Sequence, residues 1–147
     1  MSIKIRVKRF DELTTGELYE ILRCRSEVFV VEQNCVYQDL DEEDSASTHL
    51  FIEEEGRIKA YLRVIDPGVK YVSASIGRVL TMKPYRGQGL ARPLMIEAIR
   101  VAKSLSDTIE IEAQAYLRQF YKSLGFKESS AEFTLDGIPH ISMMLTV

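Results

Sequence analysis

Apolar residues along this chain recur with two alternating periods, and the changes of period mark its elements. Ile3, Ile5 and Val7 alternate with polar neighbours, the period of a strand buried on one face. Thr14-Thr15-Gly16-Glu17 places Thr14 and Glu17 at the spacing of a capping box, so a helix opens there, with Leu18, Ile21, Leu22, Val28 and Phe29 as its apolar stripe. His49–Glu53 and Ile58–Val64 read as strands joined by a hairpin turn around Glu55-Gly56. Asp66-Pro67-Gly68 then breaks the chain. In the long strand that follows, Ile76, Arg78, Leu80 and Met82 alternate against Gly77, Val79 and Thr81. Helical spacing returns with Leu90, Leu94, Ala98, Val101 and Leu105, with Met95 and Ala102 beside them, while Arg92, Glu97, Arg100 and Lys103 face water. Thr108 to Ala113 forms another strand, Glu110 and Glu112 on one face and Ile109, Ile111 and Ala113 on the other. A short helix carrying Tyr121 is stopped by Gly125, and Phe126 begins the next strand. Phe133–Leu135 and Ile138–Met144 flank Asp136-Gly137, a strong hairpin signal.

The resulting order is β-α-β-β-β-α-β-α-β-β, which predicts a mixed α/β fold with a central mixed sheet and helices on both faces. The length of 147 residues predicts one domain over 1–147. Hydrophobic residues at 46% and charged residues at 28% are those of a globular protein, and a net charge of -3 provides no basic footprint for nucleic acid. No apolar run is long enough to suggest a signal peptide or a membrane span, so a cytoplasmic protein is expected. Cys24 and Cys35 make no disulfide framework, and no Cys/His spacing suggests a metal. Inert packing is the reading for both cysteines. The acidic run Asp39, Asp41, Glu42, Glu43 and Asp44 reads as a solvated loop.

Chemistry concentrates in LTMKPYRGQGLA, Leu80 to Ala91, where a strand runs into a glycine-rich turn that opens a helix. Gly87 and Gly89 allow positive φ and close approach of a ligand. The free N–H groups and dipole of the helix start favour an anion such as a pyrophosphate. Pro93 falls in the first turn, where its missing donor costs little. An ordinary strand-to-helix turn, needing glycine for geometry alone, is the bland alternative.

Arg86, Gly89 and Ala91 satisfy the Q/R-x-x-G-x-G/A pattern, and this segment resembles the GNAT superfamily of acyl-CoA N-acyltransferases. AQAYLRQFYKSLGF resembles the GNAT segment in which a short helix carries a tyrosine, here Tyr121, and ends in Gly-Phe; Gln114 stands where many relatives carry Asn. Arg23-x-Arg25-x-x-Val28-Phe29-Val30-Val31-Glu32-Gln33, then Tyr37, Asp41, Asp44 and His49, looks like the ElaA-like branch, as do Ile76-Gly77-Arg78-Val79, Ala113-Gln114-Ala115 and Gly137-Ile138-Pro139-His140.

The resemblance implies a GNAT fold and an acetyl-CoA-dependent N-acetyltransferase acting on a primary amine of a small molecule or protein, with a homodimer left open. Carried over, Leu80, Thr81 and Met82 would face pantetheine, with the backbones of Leu80 and Met82 pairing its amides. Arg86, Gly87, Gln88, Gly89, Leu90 and Ala91 would hold the pyrophosphate, and Gln114 would line the same site. Tyr121 is the candidate general acid, and Glu112 or Glu32 the candidate base, unless an arginine such as Arg25, Arg63 or Arg78 pairs with it and lowers its pKa. His140, behind Gly-Ile-Pro, could accept a proton or orient an acceptor, although a lone strand histidine is more often structural; His49 is read as structural. The alternatives are a catalytically weak acyl-CoA-binding or regulatory module and, further off, an enzyme like the acyl-homoserine-lactone synthases.

Overall fold

A computed structural model describes residues 3–146. Strands β1 (Ile5–Arg9), β2 (Ser47–Glu54), β3 (Arg57–Ile65), β4 (Ala74–Thr81), β5 (Thr108–Gln114), β6 (Lys127–Glu128), β7 (Phe133–Leu135) and β8 (Ile138–Thr146) join in one sheet of order β1-β2-β3-β4-β5-β8-β6, with β7 also paired to β8. β4 and β5 are parallel and their neighbours antiparallel, giving the mixed sheet that the sequence predicts. Helices α1 (Thr15–Arg25), α2 (Ala91–Lys103) and α3 (Arg118–Ser123) cover it. One core lies between the sheet and α2 with α3, around Leu62, Ile76, Leu94, Met95, Ile111 and Phe126. The other lies beneath α1, around Ile21, Phe51, Tyr61 and Leu80.

Local chemistry sets the boundaries. Glu17 N–H donates to Thr14 Oγ1 at 3.0 Å and Thr14 N–H to Glu17 Oε1 at 2.9 Å, the reciprocal capping box that starts α1. Glu55 and Gly56 have φ of 53° and 79°, and Asp136 and Gly137 have 51° and 76°, so both hairpins turn through two left-handed residues matched to the strand twist. Two elements depart from the sequence reading. α2 stops at Lys103, which leaves Leu105 outside the helix and exposed, while Ile99 takes a core position. Beyond Arg25 the first helix also widens: Gln33 N–H bonds Val28 O at 3.3 Å and Cys35 N–H bonds Val30 O at 3.0 Å, each spanning five residues rather than four. Val28 and Phe29 therefore belong to a broadened turn, Ser26–Glu32, rather than to a continuous α-helical stripe.

The strict alternation expected along β4 also fails. Tyr61 pairs with Leu80 but Arg63 with Gly77, so two residues of β4, Arg78 and Val79, stand opposite Leu62 alone. Arg78 absorbs the extra residue at φ 51°, a left-handed conformation costing a side-chain-bearing residue on the order of 1 kcal/mol. The bulge reverses the facing of the strand: Ile76 packs in the α2 core and Leu80 in the α1 core.

The acidic run is not a solvated loop. Residues 35–43 form no helix or strand, yet Asp39 and Asp44 are buried and Asp41 is partly so. Arg25, with no exposed surface, donates from Nε to Asp39 at 2.9 Å and from a terminal nitrogen to Asp44 at 2.6 Å. Arg63, 1% exposed, spans Asp44 at 2.9 Å and both oxygens of Asp41. Arg78 reaches from the bulge to Asp39 Oδ1 at 2.8 Å, with the Tyr37 ring against its guanidinium. His49, also buried, donates from Nε2 to the Asp44 carbonyl at 3.0 Å and accepts the Tyr61 hydroxyl on Nδ1 at 2.7 Å, which makes it a packing residue.

Truncating one member leaves a buried charge without its partner, so Arg25→Leu should lower unfolding free energy by about 3–5 kcal/mol in urea titrations. Burial raises the Asp41 and Asp44 carboxyls, but hydrogen bonds and charge from Arg63 and Arg25 outweigh it and hold both below their ordinary value of 3.8. The unfolded chain protonates them near 3.8 while the fold keeps them ionised to lower pH, so their stabilisation is complete above that value and is lost as pH falls through the native values. Thermal melts should show stability decreasing below about pH 4, by at most about 1.4 kcal/mol per pH unit for each carboxylate. Asp41→Asn should flatten that slope.

Candidate active site between strands four and five

β4 and β5 are hydrogen-bonded partners only at their first residues, Ala74 with Ile109 and Ser75 with Glu110. Beyond Ser75 they separate, because β4 stays with β3 while all seven residues of β5 remain paired to β8. The seam between them opens into a cavity of about 650 Å³, within the size range of small-ligand sites. Its walls come from both faces of the sheet.

The register decides which main-chain groups face the seam. Met82 N–H donates to Lys59 O at 2.8 Å, and Leu80 pairs with Tyr61 two residues before it. In an antiparallel ladder hydrogen-bonded positions alternate, so Leu80 and Met82 both turn their backbone toward β3. Val79 and Thr81, between them, turn their main chains toward the opening. Alternation of side chains could not reveal this, since it says nothing about which edge of a strand is already paired.

At the end of the seam Gly87 and Gly89 take φ of 83° and 74°, and a Cβ at either would project into open space. Gln88 is exposed between them, while Leu90 is buried in the α2 core and anchors the turn. No side chain caps the α2 N-terminus and no acidic residue occupies its first turn, so the helix presents free N–H groups and an uncompensated dipole. A diphosphate fits this cradle. Arg86 is fixed beside it, donating from Nε to Thr81 O at 2.8 Å and from a terminal nitrogen to Glu32 Oε1 at 2.7 Å.

Tyr121 on α3 lies in the α2-side core, edge-on to Phe120 and Phe126, and lines the cavity. It is 5% exposed, and burial, helped by nearby Tyr116, pushes its phenol well above the ordinary range. Its hydroxyl has no hydrogen-bond partner among the described residues. On β5, Ile111 and Ala113 enter the same core, whereas Glu112 and Gln114 share the opposite face with Ser142 and His140, their partners on β8.

The two carboxylates expected as bases are both engaged, but not by the anticipated arginines. Glu32 holds Arg86, and Glu112 accepts the Tyr71 hydroxyl with Lys70 Nζ 3.8 Å away. Arg25, Arg63 and Arg78 are taken by the aspartates of the neighbouring loop. The loop and the β7–β8 turn close the outer side: Cys35, read as inert packing, lines the cavity and lies with Sγ 3.6 Å from Asp136 O. His140, for which the structural reading is favoured over a proton-accepting one, is also on the wall, and its neighbours come from β5 and β7, distant in sequence.

Residues 14–147 match the family described as Acetyltransferase (GNAT) domain. The UPF0039 protein sll0451 of Synechocystis sp. is 39% identical over 152 residues, covering 100% of this chain and 97% of that protein. An acyl-CoA N-acyltransferase from Pseudomonas aeruginosa superposes with a TM-score of 0.93 at 38% identity, covering 99% of this chain and 100% of that one. Escherichia coli ElaA superposes with a TM-score of 0.91 at 32% identity, over 98% and 99% of the two chains. The chain belongs to the GNAT acyltransferase family, with ElaA among its homologues. Members of this fold use acyl-CoA donors. Among the described residues no helix is long and apolar enough to cross a membrane.

Gly89→Val would place a branched side chain at a left-handed φ and inside the cradle. Calorimetric affinity for coenzyme A should fall about tenfold or more, equivalent to about 1.4 kcal/mol or more.

Proposed function

We propose that this protein is a cytoplasmic enzyme that transfers the acetyl group of acetyl-CoA to a primary amine of a small molecule or protein. The single observation that carries the reading is the opened β4–β5 seam, with a free glycine-turn cradle at its end and an unpartnered tyrosine hydroxyl in its wall.

In this reading the main chain of Gly87 to Ala91 holds the diphosphate, and Val79 and Thr81 receive the pantetheine amides across the seam. A main-chain N–H of the same stretch faces the thioester carbonyl and stabilises the negative charge that develops there. Holding donor and amine in one cavity supplies much of the acceleration. Tyr121 gives its proton to the departing sulfur. Its raised pKa suits that role, because the phenol stays protonated through the neutral range and is available as a donor. Glu32 acts by fixing Arg86 against the loop rather than as a base.

Acetylation assayed over a panel of amines should show acetyl-CoA-dependent turnover. Tyr121→Phe should lower kcat by about 100-fold, the lower end of what a positioned acid contributes, with acetyl-CoA affinity unchanged. Coenzyme binding without turnover on any amine would favour the regulatory acyl-CoA-binding module instead.

A further inference from the structure

We propose that His140 is the catalytic base that takes the proton from the acceptor amine, an assignment that rests on the acetyltransferase reading. Its chemistry is fixed by one contact. His140 Nδ1 lies 2.8 Å from the carbonyl oxygen of Ile138, which can only accept, so the neutral ring carries its proton on Nδ1. That leaves Nε2 with a free lone pair and, among the described residues, without a partner. Phe133 stacks on the ring with centroids 6.1 Å apart, which holds its plane. The imidazole is 9% exposed and what it lines is the cavity.

Position separates acid from base. Because Gln114 pairs with His140, the imidazole occupies the sheet face opposite the core that contains Tyr121. Tyr121 and His140 meet the same cavity from opposite sides of the seam, one suited to the sulfur and the other to an incoming amine. Besides Tyr121, the charged and titratable groups that line the cavity with His140 are Glu112 of β5, Glu32, Cys35, Tyr37, Arg63 of β3, Lys70, Arg78 of β4, Arg86, Tyr116 and Asp136 of the hairpin turn. Lys70 and Tyr71 engage Glu112, Arg86 engages Glu32, and Asp39 behind the wall neutralises Arg78 and accepts the Tyr37 hydroxyl, so neither Glu112 nor Glu32 is a free proton acceptor. Asp136 is exposed at the turn.

In the step itself the neutral amine nitrogen bonds to the thioester carbon, and its proton passes to Nε2. The C–S bond breaks and the sulfur takes the Tyr121 proton. The imidazolium then loses its proton to solvent and the tyrosinate regains one, so a proton moves in net from nitrogen to sulfur.

His140→Asn is the informative variant, because its amide can still donate to Ile138 O while the Nε2 lone pair is gone. Its kcat should fall about 100-fold or more, within the range typical of a lost general base, and the acid limb of its kcat/KM profile should disappear. Acetyl-CoA affinity by calorimetry should be unchanged. Nitrogen NMR of the wild-type neutral ring should report protonated Nδ1 and bare Nε2. If His140→Asn keeps wild-type kcat and pH profile, or if Glu112→Gln alone abolishes the acid limb, the assignment is overturned while the acetyltransferase reading stands. A wild-type protein that binds acetyl-CoA but acetylates no amine overturns both.

Discussion

The outer wall of the cavity is a loop without regular structure, and its position depends on charge. Asp39, Asp41 and Asp44 are drawn inward by Arg25 from the end of α1, Arg63 from β3 and Arg78 from β4. Each guanidinium has more than one oxygen partner and each of the three aspartates is shared between two arginines, so the six side chains form a lattice rather than separate pairs. A buried ion pair adds little net stability compared with an apolar replacement, yet loss of one partner is expensive. Such a lattice therefore favours one loop position strongly while adding modestly to overall stability. Tyr37, Cys35 and the outer side of the cavity inherit their places from it.

Arg78 links this lattice to the seam. The extra residue that turns its side chain toward Asp39 also reverses the facing of β4, within the stretch where β4 and β5 are already unpaired. One local distortion thus fixes the loop and divides the walls between faces, beside two strands with free edges. Free strand edges are normally a hazard for unwanted pairing. Here they lie inside a cavity, where an extended amide-bearing ligand can use them.

Much of the fold was legible because it rests on local rules. Thr14 with Glu17 marked a helix start, and Asp136-Gly137 marked a hairpin, since capping and left-handed turns leave short-range signatures. The glycine turn and Tyr121 were visible by resemblance. The bulge was not: Ile76 to Met82 alternates without a break, and only pairing with β3 reveals the additional residue. The acidic run misled for a related reason. Its partners, Arg25, Arg63 and Arg78, lie on three different elements, and a charge run next to no compensating cation reads as solvated. The surroundings of His140 were hidden likewise, since the carbonyl that fixes its tautomer matters only once Gln114 across the strand pair shows where the ring stands.

The broadened turn after α1 carries Phe29 and Glu32 to the cavity, and Glu32 meets Arg86 from there. An i+5 turn holds one residue more than the helix needs, and each residue advances an α-helix by about 100°. Single-residue deletions between Ser26 and Glu32 would restore ordinary winding and swing the carboxylate about a quarter-turn away from Arg86 and the glycine turn. The length of that short stretch therefore matters more to where Glu32 stands than the identity of most residues within it.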